Sequence, residues 1–265
     1  MKKISIIIAI GVMSSLFLPQ NAIAQDNPFI VLEYMHVKPG NSDAYLQIEN
    51  FWRHIHMARQ KQGNILGWSV WRVVAPYKMD DPYQYVVLTV YPHFSNILHP
   101  FEGIEISKVF PNASKDSLNK MFAKTEEVRD LIQQDIFTVE GHVGKTDGDA
   151  INYLMATYAK VTPEKLQDFH SFMKDHWKPV VEKAINGNYA NFWWYGGKIF
   201  NNDVADASYK HIMVVNWSKD NMFDNEPKFD QYRKEDPAAF EGYKWYTRIN
   251  RVLLHKVLSL TSPAK

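Results

Sequence analysis

The histidines are the residues of this chain whose type and spacing could support acid–base or ligand chemistry. His54 and His56 lie in one predicted helix, and His170 and His176 lie in another. Two positions along a helix turn the chain by about 200°, so His54 and His56 point away from each other and do not share one ion. His170 and His176 also fall on different faces. The spacing therefore predicts no metal site.

Two of the histidines are candidate catalytic residues. His176 falls on the predicted apolar stripe of its helix, and an imidazole in apolar surroundings can act as an acid, a base or a ligand. His211 lies in a predicted strand and is a second candidate base. The simpler interpretations remain open, namely a hydrogen-bonded core position for His176 and a surface position for His211.

Six aromatic residues are candidates for ligand binding. They are Trp52, Trp68, Trp71, Trp193, Trp194 and Tyr195. Aromatic-lined concave sites bind flat or apolar small molecules, although aromatic residues also fill ordinary cores. Side chains alternate across a strand, so only part of this group can face the interior. The sequence leaves two sets open: Trp68 with Phe192 and Trp194, or Trp71 with Trp193 and Tyr195.

An internal duplication positions these residues. The stretch from Tyr34 to Trp71 recurs 124 residues later, from Tyr158 to Tyr195, and the run 83–91 matches the run 209–217. A repeat of this length indicates two copies of one structural unit. Hydrophobic periodicity and turn residues then predict the order strand, helix, strand, strand, helix, strand in each copy.

The predicted elements of the first copy are strands 29–37, 65–74, 83–91 and 136–143 and helices from 42 and over 117–134. Those of the second copy are strands 151–161, 189–200, 209–217 and 255–260, a helix from Pro163, and mostly helix over 237–254. Pro179 should kink or interrupt the helix near Asp175, because proline removes a backbone donor and clashes with the preceding turn.

The N-terminus predicts export. A basic start, an apolar run from Ile4 to Leu18 and small residues at Ala22 and Ala24 are typical of a signal peptide cleaved before Gln25. The run is too short to span a bilayer, which takes about 20 residues. We therefore expect a periplasmic or secreted protein with no membrane segment after cleavage.

The composition limits the partners of the mature chain. Loss of two lysines with residues 1–24 leaves 28 basic against 29 acidic residues, and the chain has no cysteine. This balance argues against nucleic acid. Disulfides and thiolate ligands are excluded.

The element order is the ferredoxin-like split unit. With a proline after the first strand, a long amphipathic first helix and a tryptophan-bearing second strand, the chain resembles the dimeric α/β-barrel superfamily. That group includes the antibiotic-biosynthesis monooxygenase, EthD and NIPSNAP-like families and the duplicated chlorite-dismutase and dye-decolorising peroxidase group. The resemblance implies an α+β fold of two tandem ferredoxin-like domains, 25–147 and 148–265. Their antiparallel sheets would form an α/β barrel, closed within the chain or in a homodimer.

The resemblance and the aromatic strands together predict an exported protein that binds a small apolar or aromatic molecule in an aromatic-lined barrel cavity. Cofactor-independent monooxygenase-like activity is the catalytic interpretation. A non-catalytic binding or oligomerisation module and a heme-binding protein of the duplicated branch are the alternatives. The cofactor stays unassigned, since no heme ligand can be carried over residue by residue.

Overall fold

The computed structural model describes residues 27–76, 82–144, 152–188, 190–200, 210–218 and 226–260. The first half contains β1 (Phe29–Val37), α1 (Ser42–Lys61), β2 (Gly67–Ala75), β3 (Tyr85–Tyr91), α2 (Phe94–Leu98), α3 (Ile106–Val109), α4 (Lys115–Val128) and β4 (Arg129–Gly144). The second half contains β5 (Tyr153–Val161), α5 (Leu166–Phe172), α6 (Lys178–Asn186), β6 (Phe192–Lys198), β7 (Lys210–Ser218), α7 (Glu226–Glu235) and β8 (Thr247–Ser259). The predicted signal peptide and the predicted boundary near residue 147 lie outside the described residues.

The eight strands form one closed antiparallel barrel in the order β1, β3, β2, β8, β5, β7, β6, β4. Each half contributes a four-stranded ferredoxin-like sheet, and the sheets join through β2 with β8 and β4 with β6. The hydroxyl groups of Tyr34 and Tyr158, equivalent residues of the two copies, lie 3.1 Å apart inside the barrel. The predicted α+β fold of two tandem ferredoxin-like units is confirmed, and the barrel closes within one chain.

The core has three layers because the strands alternate and the helices cover only the outside. Inward side chains of both halves pack together in the barrel, among them Leu32, Trp71 and Trp194. Outside, α1 packs on the first sheet through Tyr45 and Ile48, and a second cluster, which includes Phe169, Phe172 and Trp193, lies outside the barrel in the second half.

Two predicted helices are partly strands. The helix expected over 117–134 ends at Val128, and the chain continues as β4, which pairs with β1 from Arg129 onward. Likewise, the last eight residues of the helix expected over 237–254 belong to β8, which begins at Thr247 and pairs with β5. Both segments carry apolar residues at helix-compatible spacing, but strand pairing across the sheet overrides that local preference. The predicted second helix of the repeat is therefore shorter in both halves.

The expected interruption near Asp175 is confirmed. Met173–Trp177 forms a π-helical turn between α5 and α6, and Pro179 follows at the start of α6. A π turn inserts one extra residue into a helix. Up to Met173 the second copy follows the first at an offset of 124 residues, and beyond the turn the offset becomes 125. No helix within the described ranges is long and apolar enough to cross a membrane.

Candidate functional site

The barrel separates the six aromatic candidates. Trp71, Trp194 and partly buried Phe192 belong to the interior, Trp52 and Trp68 lie under the helices of the first half, and Trp193 and Tyr195 belong to the outer cluster of the second half. Neither of the two alternating sets is reproduced as a whole. The reason is the register of the strands. Trp71 pairs with Val86 opposite Tyr34, and Gly196 pairs with Met213 opposite Tyr158, so β6 follows β2 at an offset of 125 residues, one more than the repeat alignment assumes.

Among the side chains that the structure describes, the barrel interior is closely packed. The void beside Leu32, Trp71 and Tyr158 measures only about 10 Å³, room for about one water molecule at most. The described part of the interior therefore shows no aromatic-lined cavity of ligand size at this place.

A larger cavity lies outside the barrel, between α1 and the outer face of the first sheet. This first-half cavity has a volume of about 210 Å³. Its lining comes from α1, the four strands of the first half and the segment after β3: Val31, Glu33, Glu49, Trp52, His56, Arg59, Trp68, Val87, Thr89, Tyr91, Ile97, Pro100, Phe101, Arg129 and Gln134. It combines aromatic walls with two glutamates, one histidine and two arginines, a mixture typical of sites that bind and orient small molecules.

A single face of α1 supplies the chemistry of the cavity. Glu49, Trp52, His56 and Arg59 follow one another at intervals of three, four and three residues, the spacing that places side chains in a row along one side of a helix. The row faces Glu33, which is the one acidic residue on the outward side of β1. Two carboxyl groups, an imidazole and a guanidinium group therefore share one partly enclosed space.

Glu49 is the most unusual group of the cavity. It is only 2% exposed, and its Oε1 atom lies 3.1 Å from Nε of Arg129. Burial raises the pKa of Glu49 to about 7, against the opposing effect of Arg129. Burial also raises the pKa of Glu33. A carboxyl group that titrates near neutral pH can accept or release a proton during a reaction.

His56 is held in place by an arginine and two indole rings. Nη1 of Arg59 lies 2.9 Å from Nδ1 of His56, and Nη2 of Arg59 donates to the Tyr91 hydroxyl at 3.0 Å. The imidazole stacks on Trp68 at 4.9 Å and on Trp52 at 6.1 Å between ring centroids. Burial, with the charge of Arg59 next in importance, lowers the pKa of His56 well below its usual range. The imidazole is therefore neutral at physiological pH.

The second half does not repeat this cluster. With the offsets that the π turn sets, Glu49 corresponds to Met173, His56 to Val181 and Arg59 to Ala184, and all three replacements are buried. Met173 and Val181 pack with Phe169, Trp193 and Tyr195 in the outer cluster of the second half. The polar cluster therefore belongs to one copy of the duplicated unit.

Of the two predicted catalytic histidines, His176 does not line this cavity. The side chain of His176 is 44% exposed, and its Nδ1 atom is 3.6 Å from a carboxylate oxygen of Asp236. The π turn moves His176 off the buried stripe, because the extra residue makes Trp177 the equivalent of Trp52. The backbone of His211 lies in β7, whereas its side chain is outside the part of the chain that the structure describes.

Some of the site was predictable and some was missed. Trp52 and Trp68 were predicted to bind a ligand, and both line the cavity. Glu33, Glu49 and Arg59 also line the cavity and are not among the predicted site residues. The signal that the sequence offers for them is the row of polar residues along α1.

A heme is too large for the first-half cavity, whose volume is smaller than the ~300–1,000 Å³ typical of pockets for drug-sized ligands. Within the described ranges no group of three or more potential metal ligands is placed to hold an ion.

The fold is similar to that of several solved structures, although no protein-family model and no curated protein matches the chain. A "putative monooxygenase" of Fusobacterium nucleatum subsp. nucleatum gives a TM-score of 0.57 at 12% identity, over 88% of this chain and 94% of that one. A "putative monooxygenase" of Lactobacillus acidophilus gives a TM-score of 0.51 at 11% identity, over 89% of this chain and 95% of that one. An anthrone oxidase-like protein gives a TM-score of 0.51 at 11% identity, over 89% of this chain and 94% of that one.

These matches extend over both halves of the chain, since one half cannot account for such coverage. At this level of identity they establish the fold alone. The chain is thus a tandem α/β-barrel protein, and the fold that the resemblance implies is confirmed, whereas membership of the dimeric α/β-barrel superfamily stays a prediction. The narrower NIPSNAP or EthD relationship remains a prediction.

Proposed function

We propose that this chain is an exported enzyme that removes a proton from a small planar molecule bound in the first-half cavity, with Glu49 as the base. The observation that carries the proposal is a buried carboxyl group with a pKa of about 7 inside a cavity walled by indole rings. General bases are most effective when their pKa lies near the working pH. Glu49 meets that condition because burial raises its pKa.

The other cavity residues favour a flat ligand that becomes negatively charged. Trp52 and Trp68 offer stacking surfaces, and the guanidinium groups of Arg59 and Arg129 stabilise negative charge nearby. The volume of about 210 Å³ limits the ligand to a compact molecule. These features support a carbon acid, in which a methylene group beside a carbonyl loses a proton and the charge spreads over a conjugated system.

The finer proposal is a cofactor-independent, monooxygenase-like reaction. Glu49 takes one proton from the activated methylene, and the carbanion supplies its electron pair to O₂. The methylene becomes a carbonyl, one oxygen atom is retained and the other leaves as water, so the substrate itself is the reductant. Two of the structures similar in fold are named as "putative" monooxygenases and a third as anthrone oxidase-like.

The proton-transfer step is testable with 2-indanone, a compact bicyclic ketone with activated methylene groups. Its exchange with D₂O is followed by proton NMR with and without the protein, and oxygen uptake is recorded in parallel. Glu49→Gln should lower the protein-dependent exchange rate by about 10²- to 10⁴-fold, the usual contribution of a general base. Glu127→Gln, on the exposed face of α4, is the control. Equal rates for the wild type and Glu49→Gln would refute the assignment.

Export is a separate part of the proposal. It is supported by the basic start, the apolar run and the Ala22–Ala24 site. N-terminal sequencing of the protein recovered from the periplasm or medium should begin at Gln25. An intact Met1 on protein that stays in the cytoplasm would contradict this part and leave the proton-transfer proposal untouched.

A further inference from the structure

We propose that Arg59 is a positioning residue that fixes the tautomer of His56, and that the Nε2–H group of His56 donates a hydrogen bond to the carbonyl oxygen of the substrate. The inference rests on the proposed function of the same cavity and specifies its substrate class as a ketone with an acidic α-hydrogen. His56 would stabilise the developing enolate while Glu49 removes the proton.

The tautomer follows from the direction of one hydrogen bond. A guanidinium group carries only donors, so Nη1 of Arg59 must donate to Nδ1 of His56 across their 2.9 Å contact. An Nδ1 atom that accepts carries no proton, which leaves the proton of the neutral ring on Nε2. The Tyr91 hydroxyl accepts from Nη2 of the same guanidinium group and fixes its orientation.

The ring itself cannot easily turn to exchange its nitrogens. His56 is 8% exposed and lies between Trp52 and Trp68, with interplanar angles of 28° and 29°. The guanidinium group is held in turn by the rings of Tyr91 and Phe101, whose centroids lie 5.4 and 5.0 Å from Cζ of Arg59. Among the described residues, the hydrogen-bond partner of the His56 ring is at Nδ1. Nε2 is therefore the atom that His56 can offer to a cavity ligand.

The surrounding charges favour a neutral donor at this point. Arg59 and Arg129 oppose protonation of the imidazole, and the carboxyl groups of Glu33 and Glu49 complete the charged lining of the cavity. A neutral imidazole that donates from Nε2 requires an acceptor atom on the ligand. A carbonyl oxygen is such an acceptor, and it gains negative charge when Glu49 takes the α-proton, so the bond strengthens as the reaction proceeds.

The tautomer is tested by nitrogen NMR of protein labelled with ¹⁵N-histidine, independently of any ligand. His56 is assigned by loss of its signals in His56→Gln, and exposed His54, which lies in the same helix, serves as the reference. We expect an unprotonated Nδ1 and a protonated Nε2 that do not change between about pH 5 and pH 8. In Arg59→Met, His56 should become a mixture of tautomers and titrate. An Nδ1-protonated ring in the wild type, or a His56 that titrates between about pH 5 and pH 8, would overturn the inference.

The substrate class is tested with 2-indanone labelled with ¹³C at the carbonyl. A hydrogen bond from His56 should shift the bound carbonyl resonance downfield in the wild type and in His56→Gln, whose amide can also donate. His56→Leu should abolish the shift and weaken binding by about 2- to 10-fold, the range expected for loss of one neutral hydrogen bond. His54→Gln is the matched control.

The two proposals fail in different ways. An unchanged carbonyl shift and unchanged affinity in His56→Leu would refute the role of His56, whatever the exchange rate is. A carbonyl shift that depends on His56, with no protein-dependent proton exchange, would refute Glu49 as the base and leave the carbonyl site standing.

Discussion

Replacement of Glu49 by glutamine should change how the stability of the protein depends on pH. The carboxyl group has a pKa of about 7 in the folded protein against its ordinary value of 4.5. Between these two values the folded chain keeps the proton and the unfolded chain has lost it, so a rising pH favours unfolding. Glutamine does not titrate, so the unfolding free energy of the variant does not fall with rising pH on account of this position.

The size of the effect follows from the two pKa values. At about 1.4 kcal/mol for each pH unit, protonated Glu49 accounts for ~3 kcal/mol of unfolding free energy at and below pH 4.5, and this is lost as the pH rises through about 7. The difference in unfolding free energy, Glu49→Gln minus wild type, should accordingly increase by ~3 kcal/mol from about pH 4.5 to about pH 8. Contributions of groups that do not interact with Glu49 are common to both proteins and cancel.

Urea denaturation at five pH values across this range measures the difference directly. Glu127→Gln, which removes a carboxyl group that is exposed to solvent, is the control and should show no comparable increase. A difference between Glu49→Gln and the wild type that stays constant with pH would refute the reasoning, because it would mean that Glu49 titrates alike in the folded and unfolded chains.

Three further substitutions test the barrel. Trp194→Ala empties a site that is 1% exposed in the interior and should lower the unfolding free energy by about 3–5 kcal/mol in urea; no loss would contradict a packed interior. Lys198→Met leaves the buried carboxylate of Asp135, 2.7 Å from Nζ of Lys198, without its cation, and should lower the unfolding free energy by ~3 kcal/mol. The double variant with Asp135→Asn should regain most of this stability, and no recovery would contradict the ion pair. Gly196→Ala forces a methyl group against the carbonyl oxygen of Thr138. Thermal unfolding of this variant, followed by circular dichroism, should therefore show no cooperative transition. An unfolding curve like that of the wild type would contradict the pairing of β4 with β6.

The fold was predictable because both copies of the repeat carry the hydrophobic periodicities that strands and helices require. Alternation over Phe29–Val37 and a stripe of apolar residues from Ser42 onward specify a strand and a helix by themselves. The segments after Val128 and from Thr247 were misassigned as helix, because their conformation is decided by pairing with β1 and β5. Such partners are distant in sequence, and local periodicity does not report them.

The site was less predictable because small changes of register decide which side chains meet. One extra residue in the π turn places Trp177 where the repeat suggests His176. An offset from β2 to β6 that is longer by one residue sends both Trp71 and Trp194 into the barrel. Arg129 reaches the cavity only because its segment is a strand. The spacing of Glu49, Trp52, His56 and Arg59 was visible in the sequence, but nothing local shows that this face of α1 covers a cavity.

The most direct test of the account is a crystal structure of the mature protein soaked with 2-indanone. We predict that the ligand lies between α1 and the outer face of the first sheet, with its carbonyl oxygen within hydrogen-bonding distance of Nε2 of His56 and a methylene group beside the Glu49 carboxylate. Density for the ligand inside the barrel or only under the helices of the second half, with the first-half cavity empty, would contradict it.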